Sequence, residues 1–138
     1  MMKHSLKLLS FATILITLVS TSSCEKDKGI LPDISFKTGA GYTSANATIA
    51  KNTAFLIGIN AARTEDKDVL KTFNVSVSYD GGASTTVYSE TLAGAQGDNY
   101  THDLNLTTRN QSGTEKYSFT ITNRDGLINT ISLTITVP

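Results

Sequence analysis

Thr130-Ile131-Ser132-Leu133-Thr134-Ile135-Thr136-Val137 alternates hydroxyl and apolar side chains without a break. A period of two puts Ile131, Leu133, Ile135 and Val137 on one face of a β-strand and the hydroxyls on the other. The same alternation carries Phe73, Val75, Val77 and Tyr79, then Tyr100, His102, Leu104 and Leu106, then Tyr117, Phe119 and Ile121. Burying each large side chain is worth roughly 1.5–3 kcal/mol, so four such faces supply the core of a two-layer fold. Threonine on the opposite faces suits a pleated, half-exposed surface.

Other segments read as strands with less regularity. Thr53 to Ala62 places Phe55, Ile57 and Ile59 on one parity and Leu56 on the other, which predicts a central strand. Ile34–Lys37, Ala47–Ile49 and Thr85–Ser89 are shorter candidates. Turn signals separate them: Gly39-Ala40-Gly41, Asp80-Gly81-Gly82, Gly94 to Asp98, Asn110 to Gly113 and Asp125-Gly126. Asp125-Gly126 is the sharpest and is expected to join the last two strands through a tight hairpin. Thr64 to Leu70, rich in Glu65, Asp66, Lys67 and Asp68, reads as a charged loop. About seven strands without a helix predict an all-β, antiparallel sandwich over residues 34–138. Within it, Gly113 to Phe119 resembles the tyrosine-corner region of immunoglobulin-like domains, with Tyr117 two residues before Phe119, where antibody domains place a core cysteine. The resemblance implies a cysteine-free bacterial immunoglobulin-like module, since the chain has no tryptophan and a single cysteine.

That cysteine is Cys24, which follows a charged, then apolar, then small-residue stretch. Lys3 and Lys7 precede an apolar run from Leu8 to Val19, and Ser20-Thr21-Ser22-Ser23 leads into the thiol. The run is shorter than the roughly 20 residues a membrane span needs. The pattern predicts a signal peptide over 1–23 and acylation of Cys24, although Thr21 stands where a lipobox most often has leucine. A secreted protein cut near Ser23, with Cys24 a free thiol or in an intermolecular disulfide, is the competing reading. Residues 24–33 are expected to be the acylated cysteine and a tether of charged residues, glycine and proline. Glu25, Lys26, Asp27 and Lys28 after the cysteine resemble the export signals of short Bacteroidota surface lipoproteins, which implies lipid anchorage on the outer membrane, facing the cell surface; a merely soluble linker, with the domain on the periplasmic face, is the alternative.

Cleavage before Cys24 removes two of the 12 basic residues and none of the 12 acidic ones, leaving a slight acidic excess. Such a balance provides no footprint for nucleic acid. The chemistry of catalysis is thinly represented. His102 is the one histidine beyond the signal and lies on an apolar parity, which predicts a residue at the core edge bonded to backbone rather than a base. Zinc would need further His or Cys ligands. Asp80, Asp98, Asn99, Asp103 and Asp125 offer oxygens for calcium, but they form no Asp-x-Asp-x-Asp-Gly series and turns use these residues anyway. Glu65, Glu90 and Glu115 are the carboxylates a glycosidase would need, each expected in or beside a loop with nothing to pair it. No catalytic residue, metal or cofactor is therefore expected. The favoured class is a surface binding or spacer module that takes a glycan or a protein partner, with Tyr42, Tyr88 and Tyr100 as aromatic contacts. A small envelope enzyme or enzyme inhibitor is the alternative.

Overall fold

The structure, a computed structural model, describes residues 29–138. Eight strands run in chain order: β1 Asp33–Phe36, β2 Ala47–Thr48, β3 Ala54–Ala62, β4 Leu70–Tyr79, β5 Ser84–Thr91, β6 Asn99–Thr107, β7 Gly113–Asn123 and β8 Ile128–Val137. They form a three-stranded sheet in the order β1-β3-β6 and a five-stranded sheet in the order β2-β8-β7-β4-β5. The architecture is an immunoglobulin-like sandwich, with the last four places of the larger sheet filled as G, F, C and C′ are filled in a variable-type domain. One pairing departs from the antiparallel expectation: β2 runs parallel to β8, because the chain leaves the first sheet after β1 and crosses to the other.

Alternation decides which side chains meet. Ile57, Ile59, Phe73, Val75, Phe119, Ile121, Leu133 and Ile135 all point between the sheets and are buried. Phe73 sits at their centre, its ring 6.4 Å from that of Phe119 and stacked on it, while Phe36 meets Phe119 edge-on at 5.5 Å. Tyr79 keeps the inward parity but lies at the strand end, half-exposed beneath the Arg109 guanidinium at 4.4 Å. β3 is central in its sheet, as its two-sided apolar pattern requires.

Both Asp-Gly sites are turns as expected, but the tight one is not the one expected. Asp125-Gly126 does join β7 to β8, but only Gly126 has a positive φ, and Asn123 organises the loop by accepting from the amides of Asp125 and Leu127 through Oδ1. Asp80-Gly81 is the tight hairpin instead, with φ of 52° and 74° and Gly82 N–H donating to the Tyr79 carbonyl. Positive φ at both central residues is the pattern that matches strand twist. The segment 63–69 is a loop, yet not wholly a solvated one. Asp68 is buried, and its carboxylate oxygens accept no hydrogen bond among the described residues.

Tyr117 lies in the middle of β7 and its hydroxyl donates to Glu115 Oε2 at 2.7 Å. A tyrosine corner bonds backbone, so this tyrosine makes a different contact from the one the resemblance implies. Cys24 and the rest of the expected signal and early tether fall outside the described residues. The last part of that tether, residues 29–32, is fastened to the sandwich: Ile30 N–H donates to Glu65, Thr64 Oγ1 donates to the carbonyls of Ile30 and Leu31, and Asn129 donates to that of Pro32.

Candidate functional site

The outer face of the three-stranded sheet carries a shallow depression with polar side chains around it. In register, Ala62 of β3 pairs with Asp33 of β1 on one side and Asn99 of β6 on the other, and Asn60 pairs likewise with Ser35 and Thr101. All six residues point away from the core because they share the parity opposite to Ile59 and Ala61. Small side chains at Ser35 and Ala62 leave a depression of about 450 Å³ that these residues line. Thr101 donates to the Ile59 carbonyl, whereas the side chains of Asp33, Ser35, Asn60 and Asn99 make no hydrogen bond among the described residues. A carboxylate, two primary amides and a hydroxyl thus stand together, both donors and acceptors, with their capacity unspent.

Further along the same face lies Tyr42. Its ring lies against Gly58, where any side chain would put a Cβ 2.6 Å from Tyr42 Cε1 and from Lys37 Cδ. Glycine at this outward position is what lets Tyr42 pack so low. Tyr42 donates to Asp103 Oδ2 at 3.0 Å, and Lys37 pairs with Asp103 Oδ1 at 2.6 Å. The Lys37 ammonium and the Tyr42 hydroxyl hold the Asp103 carboxyl below its ordinary range. Tyr42 is therefore fixed over Gly58 and does not line the depression.

Tyr88 and Tyr100 go elsewhere, and the expectation of exposed aromatic platforms is corrected for both. Tyr100 is on the inward parity of β6 and only 4 % exposed, while Tyr88 is half-buried against Phe73 and His102. The two hydroxyls converge on Glu90 Oε2, at 2.6 Å from Tyr88 and 2.5 Å from Tyr100, and Gln96 Nε2 donates to Oε1 at 3.1 Å. This bracket ties edge strand β5 to edge strand β6 across the open side of the sandwich. Glu90 lies within β5 rather than beside a loop, and its partners are three. His102 stacks on Tyr88 with centroids 4.4 Å apart, and its ring nitrogens make no hydrogen bond among the described residues, so it packs instead of bonding backbone.

The Tyr100 and Tyr88 hydroxyls favour the ionised form of Glu90 and hold its carboxyl below the usual range. Burial, reinforced by Glu90, pushes the Tyr100 phenol well up. A depressed carboxyl contributes stability that is present above the unfolded pKa of about 4.3 and is lost as pH falls through the folded value. A raised phenol contributes stability present below about pH 10 and lost above it. Thermal melts of the native protein and Glu90→Gln should therefore differ most between about pH 5 and 9 and converge below about pH 4. A difference independent of pH would contradict this account.

At the far end of the sandwich Glu115 is fully buried within β7, so the expected unpaired loop carboxylate is again corrected. Its Oε1 accepts the Arg109 backbone N–H at 2.8 Å, and Arg109 Nε lies 3.3 Å from the same oxygen without hydrogen-bond alignment. Arg109 also donates to Asp80 Oδ2 at 3.0 Å, and Thr114 N–H to Asp80 Oδ1 at 2.8 Å. Asp98 is paired with Arg63 at 3.1 Å. Asp80, Asp98 and Asp103 are thus each held by a cation, and among the described residues no three His, Cys, Asp or Glu side chains group as metal ligands. Parity carried a signal for the depression, since Asn60 and Thr101 fall on outward positions, but their meeting depends on cross-strand register.

No family model and no curated protein matches the chain. Among solved structures, the superoxide reductase (neelaredoxin) from Ignicoccus hospitalis is similar at a TM-score of 0.52 with 9 % identity, over 79 % of this chain and 81 % of that one. The likeness is one of fold. A β-glucosidase from Listeria innocua matches at 0.47 with 10 % identity over 76 % of this chain and 16 % of its own. The CARDB domain of a Pyrococcus furiosus protein, solved with di-metal ions, matches at 0.46 with 14 % identity, covering 78 % and 91 %.

Proposed function

We propose that this chain is a lipid-anchored envelope binding module, held through Cys24 in the outer membrane and displaying its sandwich at the cell surface. In this role it serves a nutrient-uptake or adhesion complex. The observation that carries the reading is the depression lined by Asp33, Ser35, Asn60, Asn99 and Thr101. Its unspent amides, carboxylate and hydroxyl match the hydroxyl pattern of a sugar, and its volume suits a short glycan segment. Glu90, Glu115 and Asp103 are instead engaged in the Glu90 bracket, the Glu115–Arg109 latch and the Lys37–Asp103 pair. Binding is thus better supported than catalysis.

A glycan array probed with the chain from Cys24 onward tests the reading, followed by titration of the best ligand. Asn60 is central in the row and exposed, so Asn60→Ala should weaken binding roughly tenfold, the worth of about one good hydrogen bond. Its thermal midpoint should stay unchanged, because exposed substitutions of this kind cost less than about 0.5 kcal/mol. Binding indifferent to Asn60 and Asn99 together would reject the depression as the site.

A further inference from the structure

Five large hydrophobic side chains among the described residues are notably exposed, and three of them share one end of the sandwich: Ile30 at 57 %, Leu31 at 50 % and Ile128 at 55 %. They are neighbours because Asn129 holds the Pro32 carbonyl and Gly29 lies against Leu127, where a Cβ would approach Leu127 Cδ1 to 2.7 Å. Their backbone is not loose. Glu65 and Thr64 bind the main chain of Ile30 and Leu31, so the two side chains project from a fixed support.

We infer that this end of the sandwich rests on the lipid bilayer, with Ile30, Leu31 and Ile128 seated at the headgroup boundary. The inference relies on the anchoring of Cys24 proposed above. Cys24 precedes Gly29 by five residues, a reach of at most about 18 Å at ~3.6 Å per residue. The opposite end lies about a β8 length away, on the order of 30 Å for its 10 residues. Acyl chains on Cys24 therefore hold the bilayer near the end that carries the apolar cluster. Apolar side chains on a fixed support beside the acyl anchor add a further contact with the bilayer and orient the domain on it. Fastening of residues 29–32 also shortens the free tether, so the domain leans on the membrane instead of standing clear of it. The depression then opens sideways, just above the lipid surface.

The chain lacks tryptophan, which allows a single reporter to be introduced. Leu31→Trp, Ile128→Trp and, as a control on edge strand β5, Val87→Trp would be prepared in two forms. One is extracted from envelopes, with its mass showing whether Cys24 is acylated, and returned to phosphatidylcholine vesicles. The other is the unacylated chain from Cys24 onward, coupled through the Cys24 thiol to a maleimide phospholipid in the same vesicles. L31W and I128W should show blue-shifted emission and quenching by brominated lipids, both absent from V87W. Equal, solvent-like emission at all three positions in the coupled form would overturn the docking. A native mass without acyl groups would overturn the anchor itself, and the coupled form would still report whether this end prefers lipid.

Discussion

Phe73→Ala should destabilise the protein by about 3–5 kcal/mol, read as a lowered denaturation midpoint in urea with an unchanged slope. Phe73 is fully buried, and its ring centroid lies 5.2 Å from that of Tyr100, 5.8 Å from His102, 6.0 Å from Tyr88 and 6.4 Å from Phe119. Those rings come from three other strands, β5, β6 and β7, in both sheets, so no single side chain can move to fill the space. A cavity that cannot collapse falls at the costly end of the large-to-small range. A domain of this size has a total stability of about 5–15 kcal/mol, so the loss is a large fraction of what holds the fold. The thermal midpoint should fall by about 10–20 °C. A second readout follows from geometry: with no tryptophan present, the near-ultraviolet circular dichroism reports tyrosine and phenylalanine packing, and it should weaken as Tyr88 and Tyr100 lose their backing. A loss under about 1 kcal/mol would mean that the surrounding rings close over the space and that Phe73 is not the pivot.

The same residues show what the sequence makes legible. Alternation over Thr130–Val137 and Phe73–Val77 is a local property, and it places these side chains inward without knowledge of the partner strand. The two-sided apolar pattern of β3 likewise reveals a central strand, with Tyr42 supplying the cover over Gly58. The depression was hidden because Asp33, Asn60 and Asn99 come from three strands, and only the register sets them side by side. Tyr88 and Tyr100 attract attention as aromatic contacts, but an inward parity turns a tyrosine into a core residue whose hydroxyl needs a partner. For Tyr88 and Tyr117 that partner is a glutamate two residues away on the same strand, Glu90 and Glu115, whereas Tyr100 reaches Glu90 from another strand. A carboxylate at spacing i, i+2 from an inward tyrosine was the available signal for both.

Glu115→Ala is the second large effect, expected at about 2–6 kcal/mol, because it orphans two buried donors at about 1–3 kcal/mol each. The Tyr117 hydroxyl and the Arg109 backbone N–H both donate to this carboxylate, and Tyr117 is itself buried against Phe55, with centroids 5.7 Å apart. Burial, with Glu115 beside it, pushes the Tyr117 phenol well up, so the hydroxyl stays protonated and must find an acceptor. Glu115→Gln keeps the shape and one carbonyl acceptor and should cost less. The decisive comparison is a double-mutant cycle with Tyr117→Phe, which removes the orphaned hydroxyl. If the hydrogen bond carries the effect, the E115A and Y117F losses should be sub-additive by about 1–2 kcal/mol. Strict additivity would assign the cost to the cavity alone. Glu115 lies at the end of the sandwich remote from Asn60 and Asn99, so protein that remains folded with Glu115→Gln should bind ligand in the depression with native affinity. Stability and binding thereby separate along the length of the strands, with the latch at one end and the polar depression near the other.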